Sequence, residues 1–376
     1  MSRIDLPLGP SAPFIALRDQ VRAFIDRHAP GWSPVSKARS WMSYDRAFSQ
    51  ALGAQGWIGM TWPRAYGGHE RSAIERYVVL EELLAAGAPV GAHWIADRQS
   101  GPLLLRVGGE AQRRAILPRI AAGDVTFCIG MSEPDSGSDL ASIRARARRD
   151  GDDWILSGTK LWTTNAHRSD YMIGLFRTGA GPDERQKGLS QFLIDMRTPG
   201  IEARPIADLT GHDDFNQVTF NDVRLPGDAL LGVEGEGWAQ VSAELALERS
   251  GPERLLSSFP LLAASLDQAR PGSGDAATLG ALIAEVAVLR QMSLGVAGML
   301  QAGAAPALQA ALVKDRGTML EQEIPERLRP LLADLAPGSD LAAMYAATMQ
   351  AAPSFTLRGG TTEVLRGIVA RGLGVR

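Results

Sequence analysis

Residues 125–220 are cut into short runs, at 125–131, 154–157, 171–176, 190–195, 201–205 and 217–220, each rich in β-branched and aromatic side chains. Gly, Asp and Pro turns separate them. Strands this short and this closely spaced predict a compact β sandwich or barrel rather than alternating strand–helix units. The flanks read differently. Phe14, Leu17, Val21, Phe24 and Ile25 recur at helical spacing until Pro30 ends the run, and residues 43–55, 71–86 and 110–122 read as further helices. Between them, residues 56–68 form a loop of glycines and aromatics. After Gly232 the chain is helix-rich again, with breaks at 270–275 and 336–340. The pattern predicts an α+β multidomain chain, mainly α: an N-terminal helical domain (1–122), a central β sandwich or barrel domain (123–233) and a C-terminal helical bundle (234–376). A length of 376 residues suits two or three domains at about 150 residues each.

Charge and composition narrow the chemistry. The formal net charge of −3 leaves no basic excess for neutralising phosphates, which argues against a nucleic-acid binder. The single Cys excludes an internal disulfide framework and any multi-cysteine zinc or iron–sulfur site, and fits a reducing cytoplasm. The 5 His are scattered, with no close pair at helical spacing, so no metal site is expected. The start carries no basic segment followed by an apolar core, hence no secretory signal is expected. The uncharged part of residues 291–313 is interrupted by Gly, Gln, Ser and Pro306, which predicts two helices of a bundle rather than a membrane span.

Three segments can carry chemistry. Gly-Met-Ser-Glu-Pro-Asp-Ser-Gly-Ser-Asp at 130–139 follows a strand and offers hydroxyls and backbone donors to a phosphate; the same residues also make an ordinary acidic surface turn. Gly-Thr-Lys-Leu-Trp-Thr-Thr-Asn at 158–165 places Trp162 beside hydroxyls, either to stack on a planar cofactor or simply as core. Arg-Gly-Gly-Thr-Thr-Glu at 358–363 is a glycine turn running into a helix start, with Thr361 or Thr362 as cap and Glu363 in the first turn.

Taken in order, with the Gly-Trp…Tyr-Gly-Gly loop, Val-x-x-Pro at 223–226 and Leu-Gly-x-x-Gly-x-Gly-Trp at 231–238, these motifs resemble the acyl-CoA dehydrogenase family of flavoproteins over nearly the whole chain. The resemblance implies a C-terminal four-helix bundle, FAD between that bundle and the β domain, and an acyl-CoA substrate. It also implies electron transfer to an electron-transfer flavoprotein. Ile129, Met131, Ser132 and Ser138 match the segment lining the flavin, Ser138 also touching CoA. Trp162 matches the residue packed on the flavin, Thr164 the one bonding near flavin N5, and Thr361 and Glu363 further FAD contacts. Ser138, Arg249, Gly359 and Gly360 are the implied substrate contacts.

The family's reaction needs a desolvated carboxylate to take the α-proton while hydride leaves the β-carbon. Many members carry it where this chain has Gly359. Others place it on the first long bundle helix, directly before an arginine, which corresponds here to Glu248 before Arg249. Glu248 is the expected base; its bland alternative is a solvated acidic face shared with Glu244. The family's Arg-x-x-Phe-Gly and Gln-x-x-Gly-Gly motifs, which reach across a dimer to FAD, are missing around 269–279 and 332–340. This leaves open a homodimer or tetramer with replacement contacts from Arg270 or the Pro337–Gly338 turn, a heterotetramer with a homologous subunit, or a non-catalytic supporting subunit. A dehydrogenase of carrier-protein thioesters and an oxygenase-like flavoenzyme are alternatives on the same fold. Cys128 is expected to be a buried small hydrophobe, the arginines at 144–149 a solvated strand edge, and His69 a loop residue.

Overall fold

The computed structural model describes residues 14–179, 185–248, 251–270 and 274–375, the side chains of 243–248 excepted. Its first helices are α1 (Ile15–His28), α2 (Pro34–Ala38), α3 (Arg46–Ala54), α4 (Ala73–Ala85), α5 (Gly101–Val107) and α6 (Glu110–Ala121). The strands follow: β1 (Phe127–Gly130), β2 (Arg146–Asp150), β3 (Asp153–Thr164), β4 (Tyr171–Arg177), β5 (Leu189–Asp195), β6 (Ile201–Ile206), β7 (Phe215–Leu225) and β8 (Leu230–Leu231). The chain then returns to helix with α7 (Gly237–Glu248), α8 (Phe259–Ala264), α9 (Asp275–Gln301), α10 (Ala307–Leu328), α11 (Asp340–Ala351) and α12 (Thr362–Gly372). The helical–β–helical order is the one the sequence pattern predicts. In space the chain gathers into two compact units, Met1–Phe48 with Arg71–Gly91 and Leu245–Arg376, and Ser49–Glu70 with Ala92–Glu244.

The second unit holds the sheet. Its strands run β6-β7-β3-β2-β4-β5-β8, with β1 added in parallel to β4. Trp154 of β3, Phe176 of β4, Phe192 of β5 and Phe220 of β7 form one core. The Phe176 and Phe220 rings meet at 5.1 Å although β4 and β7 are not neighbours, so the sheet curls over its own inner face. Strand β3 runs on to Thr164, well beyond the short run at 154–157, because a bulge between Leu156 and Gly158 keeps the ladder with β7 going. Gly158 sits there at φ +137°, and a Cβ on it would lie 2.5 Å from the Ala145 Cβ.

One expectation is corrected here. The arginines of β2 are solvated, Arg148 being 62% exposed, but the strand is internal in the sheet order. It pairs with β3 along its length and with β4 only at Arg146 and Arg177, so it reads as an edge from its side chains alone. Cys128 is fully buried as expected, and burial pushes its thiol up to about 12.

In the first unit, α10 packs against α8, α9, α11 and α12. Helix α9 is long and apolar enough by composition to cross a bilayer, yet it packs on α4 and α10. Helix α4 begins with a capping box between Ser72 and Glu75. Its buried Glu81 and Glu82 pair with Arg18 of α1, and Glu81 also meets Arg290 of α9 at 2.5 Å. Such pairs fix register, because breaking one strands a buried charge.

Candidate functional site

The candidate residues fall into two groups, one in each unit. In the β unit, β1 ends at Gly130 and runs into the Ser-Glu-Pro turn. Three consecutive residues of that turn are tied to β3. Lys160 Nζ donates to the Met131 carbonyl at 3.2 Å and to Glu133 Oε1 at 2.8 Å, and the Leu161 N–H donates to the Ser132 carbonyl at 2.8 Å. The Glu133 carboxylate also accepts the Arg144 and Ala145 N–H groups at 2.6 and 3.0 Å. Lys160 is fully buried, and burial pulls its ammonium down to about 8 against the opposing pull of Glu133. Ile129, Met131 and Ser132 are half-buried, while Ser138 lies in the exposed outer part of the turn.

Two residues along β3 from Lys160, a second irregularity in the ladder turns Trp162 outward. Its backbone adopts φ +60°, a conformation that costs an L-residue about 1–2 kcal/mol, and its side chain is 57% exposed, with an edge contact to Phe215. The reading of Trp162 as core is therefore wrong.

The residues after Trp162 are pinned. The Asn165 N–H donates to the Asp214 carbonyl at 2.7 Å, and Asn216 Nδ2 donates to the Thr163 carbonyl at 3.0 Å. His167 Nδ1 lies 2.8 Å from Asn216 Oδ1, and Arg168 Nε donates to His167 Nε2 at 2.7 Å. Half-buried Thr164 thus sits on a fixed strand end two residues from the exposed Trp162. An exposed ring next to hydroxyl and backbone donors is the donor set a planar heteroaromatic cofactor requires, so the residues present fit a flavin.

The second group surrounds the terminal motif. Thr361, not Thr362, is the N-cap of α12 and accepts from the Val364 N–H at 3.5 Å. Glu363 is in the first turn, where the backbone N–H and the Thr361 hydroxyl hold its carboxyl below the usual range. Gly359 and Gly360 adopt φ +68° and +101°. The Gly360 carbonyl accepts from fully buried Lys314 Nζ at 2.7 Å. Arg358 donates to Ser257 Oγ at 2.5 Å and to Glu321 Oε2 at 3.2 Å, and stacks 4.1 Å from the Trp41 ring. Burial pushes its guanidinium down to about 10.

Glu248 is the last residue of α7; its side chain and Arg249 lie outside the described residues. Arg270 is engaged by Asp275 at 2.9 Å. Among the described residues, no group of three or more His, Cys, Asp or Glu side chains is placed to hold a metal ion. Sequence reasoning missed Lys160, Lys314, Glu321 and Arg358. The signals were a lone lysine inside a strand pattern and a Lys–Glu pair seven apart on one helix.

The acyl-CoA dehydrogenase N-terminal domain matches residues 14–124 and the middle domain residues 128–223. Acyl-CoA dehydrogenase FadE26 of Mycobacterium tuberculosis is 32% identical over 351 residues, 86% of each chain. IpdE1 of the same organism, also named an acyl-CoA dehydrogenase, is 40% identical over 204 residues, 54% of this chain and 53% of its own length. Among solved structures, the Tcur3481-Tcur3483 steroid ACAD matches with a TM-score of 0.86 at 27% identity, over 99% of this chain and 100% of that one. The ChsE4-ChsE5 complex from Mycobacterium tuberculosis matches at 0.83 and 28%, over 100% and 99%. With a relative matched along most of both lengths and two domain types in the expected order, this chain belongs to the acyl-CoA dehydrogenase family.

Proposed function

We propose that the chain is an FAD-dependent acyl-CoA dehydrogenase in which Glu248 takes the α-proton of a thioester. The observation that supports this is Trp162, strained and exposed on a strand end whose following backbone is held by Asp214 and Asn216. FAD, when bound, would accept the β-hydride at N5 and pass the electrons to an electron-transfer flavoprotein. Ile129, Met131, Ser132, Trp162 and Thr164 would hold it, with Ser138, Thr361 and Glu363 as further contacts. Arg249, Gly359 and Gly360 would contact substrate. The division at 122/123 and 233/234 belongs to the same reading.

The position of the base has a physical argument in its favour. A carboxylate at position 359 would follow directly on the half-buried guanidinium of Arg358, a cation that favours the ionised form, whereas a base needs its proton affinity raised. Glycine at 359 is compatible with that cation. The steroid acyl-CoA class named for the Tcur3481-Tcur3483 structure is the first substrate class to try. In FAD-loaded protein, Glu248→Gln should slow flavin reduction by about 10²–10⁴-fold, the usual contribution of a general base. Reduction at the wild-type rate would remove Glu248 from this role.

A second reading has its own support. The two cross-dimer FAD motifs are missing, and two of the matched structures are two-component assemblies by name. On that reading the chain works in a heteromer with a homologous subunit. Protein that is colourless alone but yellow when co-expressed with such a homologue would favour it, and a yellow, active lone chain would exclude it.

A further inference from the structure

The Gly359–Gly360 turn is made of the two residues least able to hold a shape alone, both at positive φ. It is nevertheless anchored at both ends by one helix. Lys314 and Glu321 are seven apart on α10, two turns on the same face. Lys314 Nζ donates to the Gly360 carbonyl at 2.7 Å, and Glu321 Oε2 accepts from Arg358 at 3.2 Å. Both α10 side chains are fully buried.

Glu321 also reaches the segment that leaves α7. Its Oε1 accepts the Ser257 N–H at 2.7 Å, its main-chain carbonyl accepts the Ser258 hydroxyl at 2.6 Å, and Arg358 closes the loop on Ser257 Oγ at 2.5 Å. Packing alone would not require two fully buried charges and a half-buried guanidinium. Well-packed apolar residues usually stabilise such a site as well or better, so what ion pairs add is geometry.

We propose that Lys314 and Glu321 are positioning residues: α10 clamps the Gly359–Gly360 turn and the segment after α7 into one piece, so that the turn keeps a fixed register with the helix that ends at Glu248. The clamp itself is a matter of geometry within this unit; its effect on turnover rests on the reading of Glu248 as base.

The test uses full-length, FAD-loaded protein. Glu321→Gln still offers an oxygen to the Ser257 N–H but loses the charge that holds Arg358. Its kcat should fall roughly 10–100-fold, as small misplacements of reacting groups do, with KM and FAD content changed less than about threefold. Amide hydrogen exchange should accelerate together in residues 255–258 and 357–361. Glu321→Asp should recover part of kcat by restoring the charge. Lys314→Met, at the other end, should loosen 359–361 alone, and it decides the matter if Glu321→Gln does not fold. Exchange that rises along all of α10, or a lowered melting temperature with kcat unchanged, would make these residues merely structural and overturn the proposal. If the wild type never reduces its flavin, the functional reading falls, while the exchange pattern still judges the clamp.

Discussion

The β unit and the helical unit each hold a glycine-containing turn tied by an ion pair with a buried carboxylate, and the two pairs are assembled differently. Lys160 and Glu133 lie 27 residues apart and belong to the two motifs they join. Backbone N–H groups of Arg144 and Ala145 complete the carboxylate's shell, so the turn is closed by local parts. Arg358 and Glu321 meet across 37 residues, bring in Ser257 across a further 64, and rely on the Trp41 ring to cover the guanidinium. A locally closed turn makes a rigid platform for a ligand. One closed by distant segments ties together groups that must act jointly.

Substitutions can break that comparison. The largest effect expected is Lys160→Met, which leaves Glu133 buried without its cation and should cost about 3–5 kcal/mol by chemical denaturation. A smaller loss would mean that the backbone N–H groups alone satisfy Glu133.

The pH dependence sharpens this further. Lys160 titrates near 8 in the folded chain and near 10.5 when unfolded, so between those values the unfolded state holds more protons. The wild-type stability advantage over Lys160→Met should therefore grow as pH rises from 8 toward 10.5. A flat or shrinking gap would contradict the buried-lysine account. Over the same range the neutral amine should loosen the turn, seen as faster amide exchange at residues 131–133.

In the helical unit, Gly360→Ala forces a side chain onto φ +101° and should destabilise by about 1–3 kcal/mol. Thr361→Ala removes the α12 cap and should cost about 1 kcal/mol in a thermal melt. The smallest change expected is Trp162→Gly. Relief of about 1–2 kcal/mol of left-handed strain is offset by glycine's entropy, leaving stability within about 1 kcal/mol of wild type while FAD retention drops. A clearly destabilised Trp162→Gly protein would mean that the indole is a packing residue after all.

Much of this was legible from the sequence, and the remainder was hidden for physical reasons. Helical periodicity located α1 and α4, and turn residues bracketed the strands, because those signals are local. The extent of β3 was hidden because the β-branched and aromatic run breaks at Gly158, and only the bulge shows how the ladder carries on past it. The exposure of Trp162 depends on a backbone sign that no residue type at that position announces. Lys160, Lys314 and Glu321 look like solvated charges in sequence, and only the fold shows what surrounds them. Glycine at 359 was visible at once as a departure from the family pattern. The cation of Arg358 beside it, held by Glu321 and Ser257, shows only in the fold.

The central claim is that Glu248 of α7 takes the α-proton in an FAD-dependent dehydrogenation. Anaerobic mixing of FAD-loaded wild-type and Glu248→Gln proteins with a steroid-type acyl-CoA tests it most directly. Equal FAD content, rapid bleaching of the flavin band in the wild type and bleaching at least about 10²-fold slower in the variant are the predicted results. Bleaching at the same rate in both proteins would contradict the account.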